Sequence, residues 1–313
     1  MRKLLCFTLM VLGFMVTAAP PSQAGTYYVR DCFYDFDQMT YLNSNISWST
    51  ENPSNSTMQI YPCGGYALYL DDHKIWIPSG TYAHNSVAKV VWEAPEGAGI
   101  SGVTGWAVTF DQATGFESKM LLYDDSTNGV NVPRGSGGYV DYSLASGSRR
   151  YFAMQTKCTL SPCNNSFNNA TVHLAEVVLK IDDYTPPATS AEGTLLAGGT
   201  VSGTRTLKAT NIDLGIGMKR SIIVVNGQIV EDHNLSCSSP TATPPRIPGN
   251  VPGSPATTYT EMRPCHSYWD IYTRTLDTRN APFVEGSNSV VSCGMDGTGG
   301  WGCVGPFTVN VDN

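Results

Sequence analysis

Thr171-Val-His-Leu-Ala-Glu-Val-Val-Leu-Lys-Ile181, followed at once by Asp182-Asp183-Tyr184-Thr185-Pro186-Pro187, decides how this chain is read. Ala175, Val177, Leu179 and Ile181 recur at every second position, which places them on one face of an extended segment, as in a half-buried β-strand. Two acids and a proline pair then stop the strand, because proline brings no N–H to a sheet and forces an extended exit. The chain is expected to divide there, with one domain over residues 25–184, a Pro-containing linker over 185–190 and a second domain over 191–313.

The same short pattern spreads outward. Strands are expected near residues 66–70, 74–77, 89–92, 106–110, 119–123, 139–144 and 151–155, with Gly-rich stretches 97–102 and 135–138 where the chain reverses. Downstream, apolar runs at 221–225 and 228–231 flank Asn226-Gly227, a hairpin signal because a type I′ turn needs positive φ at both positions. Residues 307–311 alternate as a closing strand. Segment 238–264 carries six prolines between Pro240 and Pro255 and no burial pattern, so it reads as a loop tied at its base. Charged residues make up only 14% of the chain, whereas it holds 16 Tyr, 10 Phe and 6 Trp. That composition suits all-β extracellular domains and not intrinsic disorder. The length is sufficient for two cores, and the expected fold class is all-β, two β-sandwich domains with disulfides.

Residues 1–24 read as a secretory signal, with basic Arg2 and Lys3, an apolar run over 4–16 and Ser22-Gln23-Ala24 as the cleavage site. The expected localisation is secreted, outside the cell. Eight cysteines remain after cleavage: Cys32, Cys63, Cys158, Cys163, Cys237, Cys265, Cys293 and Cys303. An even count in an exported chain argues for four disulfides. Local pairing (32–63, 158–163, 237–265, 293–303) is one of 105 connectivities. Loss of the signal leaves 17 basic against 26 acidic residues, a net charge of −9. This excludes a basic surface for nucleic acid. No apolar run after residue 24 approaches the ~20 residues that cross a bilayer as a helix. The sequence does not specify an oligomeric state.

Catalytic and metal motifs are missing from the sequence. Its five histidines form no His-x-His or His-Glu-x-x-His, and His73 beside Asp71 and Asp72 is expected on a solvated turn. There is no Gly-x-Ser-x-Gly elbow, and oxidised cysteines offer no thiolate. Glu93 and Glu96 are the nearest thing to a glycosidase pair, but their spacing of three points them to opposite faces of a strand. No catalytic residue, no metal ligand and no cofactor are therefore assigned. One exception is left open: a structural calcium, to which Asp35/Asp37, Asp124/Asp125 or Asp182/Asp183 could contribute. The aromatic residues Tyr27, Tyr28 and Tyr34 near the mature N-terminus, and Tyr268, Trp269 and Tyr272 beyond Cys265, are the candidate ligand-binding residues, because exposed rings stack on sugar faces.

In the second half, Gly193-Thr-Leu, Gly203-Thr-Arg-Thr-Leu-Lys-Ala, Val225-Asn-Gly, Leu276-Asp-Thr, Glu285-Gly-Ser-Asn-Ser-Val-Val, Met295-Asp-Gly-Thr-Gly and Phe307-Thr-Val-Asn-Val-Asp-Asn313 follow an order that resembles the bacterial Ig-like domain of exported actinobacterial proteins. The first half has an early cysteine pair, Val91-Trp92 ahead of Gly99-Ile-Ser-Gly, and a close late pair, Cys158 and Cys163. It resembles the jelly-roll partner domain, of laminin-G or concanavalin type, found in the same proteins. The resemblance implies a jelly roll followed by an Ig-like sandwich and carries no activity or site residue with it. The Pro-rich insertion and the Cys293–Cys303 pair depart from the family pattern. The expected function is non-catalytic binding or surface interaction, with a glycan or cell-envelope polymer as the ligand class. The alternatives are a polysaccharide-active enzyme, a glycosidase or lyase on a jelly-roll scaffold, and a structural or adhesive module with an Ig-like spacer.

Overall fold

In a computed structural model, residues 25–35, 40–42, 48–51, 58–61, 73–110, 114–122, 130–132, 138–143, 148–166, 170–242, 257–265 and 267–313 are described. The protein is essentially all-β, with no helix among these residues and therefore none long and apolar enough to cross a membrane. The expected strand at 66–70 and most of the Pro-rich segment lie outside them.

The Ala170–Asp183 strand is the hub of the first half. Its whole length pairs with Ala98–Phe110 on one edge, while His73–Ile77 takes its first part and Gly25–Asp31 its last part on the other. Gly138–Ser143 and Gln59–Tyr61 extend this sheet outward. A second sheet runs Val130–Asn131, Phe116–Leu122, Tyr151–Cys158, Val87–Glu93, Trp48–Glu51. Side chains from both sheets, among them Ile75, Trp92, Ile100, Met120, Phe152, Leu174 and Leu179, form one buried cluster.

Two expectations need correction here. The hub strand does not alternate evenly. Ala175 pairs with Trp106 but Val178 with Thr104, so Glu176 and Val177 together oppose Gly105. This β-bulge inserts one residue and switches the inward parity. Val172 and Leu174 face the core before it, and Val177, Leu179 and Ile181 after it. Likewise, the Gly-rich stretch 97–102 is not a reversal throughout. The turn is confined to Glu96-Gly97, where Gly97 has φ 83°, and Gly99 to Gly102 already lie in the Ala98–Phe110 strand. Gly99 is needed for space: a Cβ there would meet the Ser148 hydroxyl at 2.5 Å.

The second half has a three-stranded sheet (Ala188–Glu192, Thr204–Ile212, Trp269–Asp277) and a five-stranded one (Thr200–Val201, Trp301–Val311, Gly286–Asp296, Met218–Val225, Gln228–Asn234). Leu195, Leu207, Ile223, Val225, Val290 and Val309 form its core. Asn226 and Gly227 have φ of 50° and 81° and close a two-residue hairpin between Val225 and Gln228, the geometry that Asn-Gly supplies. Ala188, within the expected linker, pairs with Ile212.

The Pro-rich segment is more than a loop tied at its base. Its return, residues 257–265, packs against the first half. Tyr259 forms a parallel bridge with Val29, its N–H donating to Tyr28 O and its carbonyl accepting from Arg30 N–H, both at 2.8 Å. Met262 from this return and Ile216 from the second half lie within the first half's core cluster. Asp183, the last residue of the hub strand, accepts the Ile216 N–H at 2.9 Å. A burial-free sequence pattern could not register these contacts, because they are made by isolated residues and by backbone.

The disulfides Cys158–Cys163, Cys237–Cys265 and Cys293–Cys303 are formed as the local pairing expects. Cys32 is also disulfide-bonded, and Cys63 lies outside the described residues. Closing loops of 28, 10 and 5 residues removes unfolded-chain entropy worth about 3.5, 2.7 and 2 kcal/mol respectively. Double Cys→Ser replacements should therefore cost stability in the order 237–265, 293–303, 158–163 by urea unfolding. An inverted order would mean that loop closure is not what these bonds contribute. Ile216→Ala, although outside the first half in sequence, should destabilise that half by about 2 to 4 kcal/mol. The Trp92 fluorescence transition would report it. No shift in that transition would show the halves to be energetically separate.

Candidate functional site

A buried polar cluster surrounds Asp31. His73 opens the His73–Ile77 strand and is fully buried, which corrects its expected place on a solvated turn. The strand pairing that buries Ile75 and Ile77 carries His73 inward by the same parity. Its Nε2 lies 2.8 Å from Asp31 Oδ2, and Trp92 Nε1–H donates to that same oxygen at 2.9 Å. The His73 and Trp92 rings meet edge to face at 5.0 Å. With Asp31 ionised, the carboxylate only accepts, and this contact then takes the His73 tautomer that carries its hydrogen on Nε2.

Ligand atoms of Asp31, Cys32 and His73 lie within 4.8 Å of one another, a spacing that suits a metal ion. The donors do not suit one. The Cys32 sulfur is committed to a disulfide and has no thiolate to give, and Asp31 Oδ2 is already engaged by two ring N–H groups. The cluster is an internal hydrogen-bond network that compensates a buried carboxylate.

The six candidate aromatics separate by burial. Tyr27 is buried: its hydroxyl donates to Met262 O at 2.7 Å, and its ring meets Tyr259 edge-on at 6.1 Å. Desolvation, followed by the charge of Asp183, pushes its phenol far up. Tyr272 is also buried, beneath the Arg274 guanidinium and beside His233, and burial pushes its phenol up to about 12. Neither presents a ring face to a ligand, because alternation on their strands turns them inward. The Tyr34 side chain lies outside the description. Tyr28 is half-buried and lines a cleft of about 280 Å³ between the halves, with Thr26, Ile216, Thr257, Tyr259 and Thr298. The sequence reading missed Tyr259 because it sits in the Pro-rich segment.

Tyr268 and Trp269 stand apart from the others. Their rings stack at 5.0 Å and 28°, and they remain 38% and 53% exposed. Trp269 begins the Trp269–Asp277 strand, an edge of the three-stranded sheet, on which Trp269, Ile271, Thr273 and Thr275 point outward. Register places Ile212 beside Trp269 and Thr210 beside Ile271. Arg263 lies 5.7 Å from the Tyr268 ring centre and is fixed by bonds to Leu214 O and Gly215 O. Below the outer row, Asp270 pairs with His233 at 3.0 Å and Arg274 with Glu231 at 3.0 Å. These pairs tie the strand to Gln228–Asn234 of the other sheet. The result is an outward-facing row with an aromatic end and a threonine-rich continuation.

The expected carboxylates are dispersed. Glu93 pairs with Arg150 at 2.7 Å near the surface, and Glu96 sits in the turn that follows. Asp182 accepts from the Thr26 hydroxyl at 2.9 Å, whereas Asp183 is buried where the halves meet. Asp35/Asp37 and Asp124/Asp125 lie outside the described side chains.

His73→Ala should destabilise the protein by about 3 kcal/mol in urea unfolding, because Asp31 would be left buried with less compensation. Zn²⁺ should give no saturable shift in melting temperature; a saturable shift would restore the metal reading. Compared with models of known protein families and with curated proteins, the chain matches none.

Proposed function

We propose that the chain is a secreted, non-catalytic binding protein whose Trp269 face holds a glycan or cell-envelope polymer. In this reading the first half is a jelly roll and the second an Ig-like sandwich that presents the binding surface. The observation that carries it is the stacked, exposed Tyr268–Trp269 pair on a braced edge strand. An indole and a phenol ring offer flat apolar surface to the C–H face of a sugar, and their N–H and O–H edges stay available for hydroxyls. The threonines beyond Ile271 supply further donors and acceptors along the direction in which a polymer would continue. Interior aromatics would not be spent this way, since exposing two large rings on one edge forgoes their burial.

A second reading, adhesion to a protein, draws on Ile271, which is 51% exposed in the same row. The enzyme reading requires two facing carboxylates reachable by substrate. Among the described residues, the carboxylates that come together at the meeting of the halves are buried.

The test is retention of the mature, oxidised protein on insoluble polysaccharides and cell walls, with the supernatant assayed for released sugar. Trp269→Ala should weaken retention about tenfold or more, as truncation of a central aromatic anchor does, while Tyr272→Phe leaves it unchanged. Release of sugar would favour a polysaccharide-active enzyme. Retention indifferent to Trp269 would remove this face as the site, and no retention on any polymer would favour protein adhesion.

A further inference from the structure

Three aspartates are buried where the two halves meet. Asp183 ends the hub strand of the first half, Asp213 follows Thr204–Ile212, and Asp296 ends Gly286–Asp296. They are only 1%, 1% and 3% exposed. Backbone amides hold each one. Asp183 accepts from Ile216 N at 2.9 Å and Thr185 N at 3.4 Å, and Asp213 Oδ2 from Gly217 N at 2.6 Å. Asp296 Oδ1 accepts from Thr298 N, the Thr298 hydroxyl and Gly300 N at 2.7 to 2.8 Å. None of the three forms an ion pair among the described residues. Asp213 Oδ1 is buried without a hydrogen-bond partner in good geometry, although the Gly215 amide also lies close enough to favour this carboxylate.

The surrounding charges leave that oxygen uncompensated. The cation beside this region, Arg263, is half-buried and directs its N–H groups to Leu214 O and Gly215 O. The Tyr27 phenol faces Asp183 and Asp213 as well as Arg263, with Tyr259 next to it, and it donates to Met262 O. Burial, then Asp183, then Asp296 push the Asp213 carboxyl up to about 7; burial first, with Asp296 adding to it, also raises Asp183. Three buried carboxylates sharing one region with an unpartnered oxygen are stable only with a proton or a cation among them.

We propose that this joint is a divalent-cation site of the calcium class, with the unpartnered Asp213 Oδ1 as its first ligand, Asp183 as its second and Asp296 adding charge from beyond the first ligand shell. An all-oxygen set of carboxylates and loop carbonyls suits Ca²⁺, which takes 6 to 8 oxygens in flexible geometry. Zinc, which prefers nitrogen and sulfur, finds neither here. Among the described residues the three carboxylates do not all offer oxygens within 4.8 Å of one another, so Asp296 is assigned a water-bridged place in the site. Because Asp183 belongs to the first half and Asp213 to the second, the ion clamps the halves together. This inference is independent of the Trp269 reading.

The test is thermal melting of the mature, oxidised protein after exchange into EGTA and then CaCl2. At about a hundredfold excess of Ca²⁺ over Kd, the melting temperature should rise by about 5 to 10 °C. Asp213→Asn should abolish the calcium response, and Asp296→Asn should weaken it several-fold. Absence of any calcium response in the wild-type protein would show that the joint holds only a proton and overturn the proposal, and the wild-type titration decides this whether or not either variant folds. An undiminished response in Asp213→Asn would place the ion elsewhere and overturn it equally.

Discussion

The architecture depends on how the second half is fastened to the first. Asp183 receives the Ile216 N–H at the end of the hub strand, and this bond holds Ile216 where its side chain enters the first half's core beside Met262. Burial of apolar area is the favourable term, at roughly 25 cal/mol per Å², and the hydrogen bond gives it direction. Tyr27 completes the fastening by spanning from the first strand to the Met262 carbonyl. Glycines permit the close approach. A Cβ on Gly302 would collide with the Pro187 carbonyl, and one on Gly215 with the Asp183 carboxylate. The proline exit after Asp183 therefore leads into a packed junction and not into a free tether.

Burial also separates chemistry from scaffold. His73, Asp31 and Trp92 form a compact group of functional side chains, yet they are sealed inside, and the disulfide at Cys32 removes the one soft metal ligand among them. Such a group contributes by compensating charge in a low-dielectric interior, where losing a partner costs more than the bond itself contributes. Tyr268 and Trp269 show the reverse. They add little to either core, they are fixed in position by Arg263 and by each other, and their rings remain exposed to solvent. In the proposed binding role, a ring pair already stacked before the ligand arrives would leave less ordering to be done on binding.

Period-2 patterns, turn chemistry and composition were enough to show that the chain is all-β and to place the Asn226-Gly227 hairpin, because these depend on neighbours in sequence. The three described disulfides could be guessed by proximity for the same reason. Tyr268 and Trp269 could be nominated from their side chains, but so could Tyr27 and Tyr272, and nothing in the sequence distinguishes a ring that turns inward. The bulge at Glu176 and Val177 was invisible, since an extra residue in one strand shows only against the Gly105 that it opposes.

What the sequence determined by itself was therefore local: extended backbone, its punctuation, the pairing of neighbouring cysteines, and the stock of aromatic residues. The tertiary structure alone decided which side chains meet. Asp183, Asp213 and Asp296 are far apart in sequence, and only packing of the two halves brings them into one buried region. The return of the Pro-rich segment carries no alternating pattern because it is held by scattered contacts, among them the Tyr259 backbone bridge, the inserted Met262 and the Cys237–Cys265 disulfide. Long-range contacts of this kind are selected by shape and burial across the whole fold, and no short window of sequence encodes them.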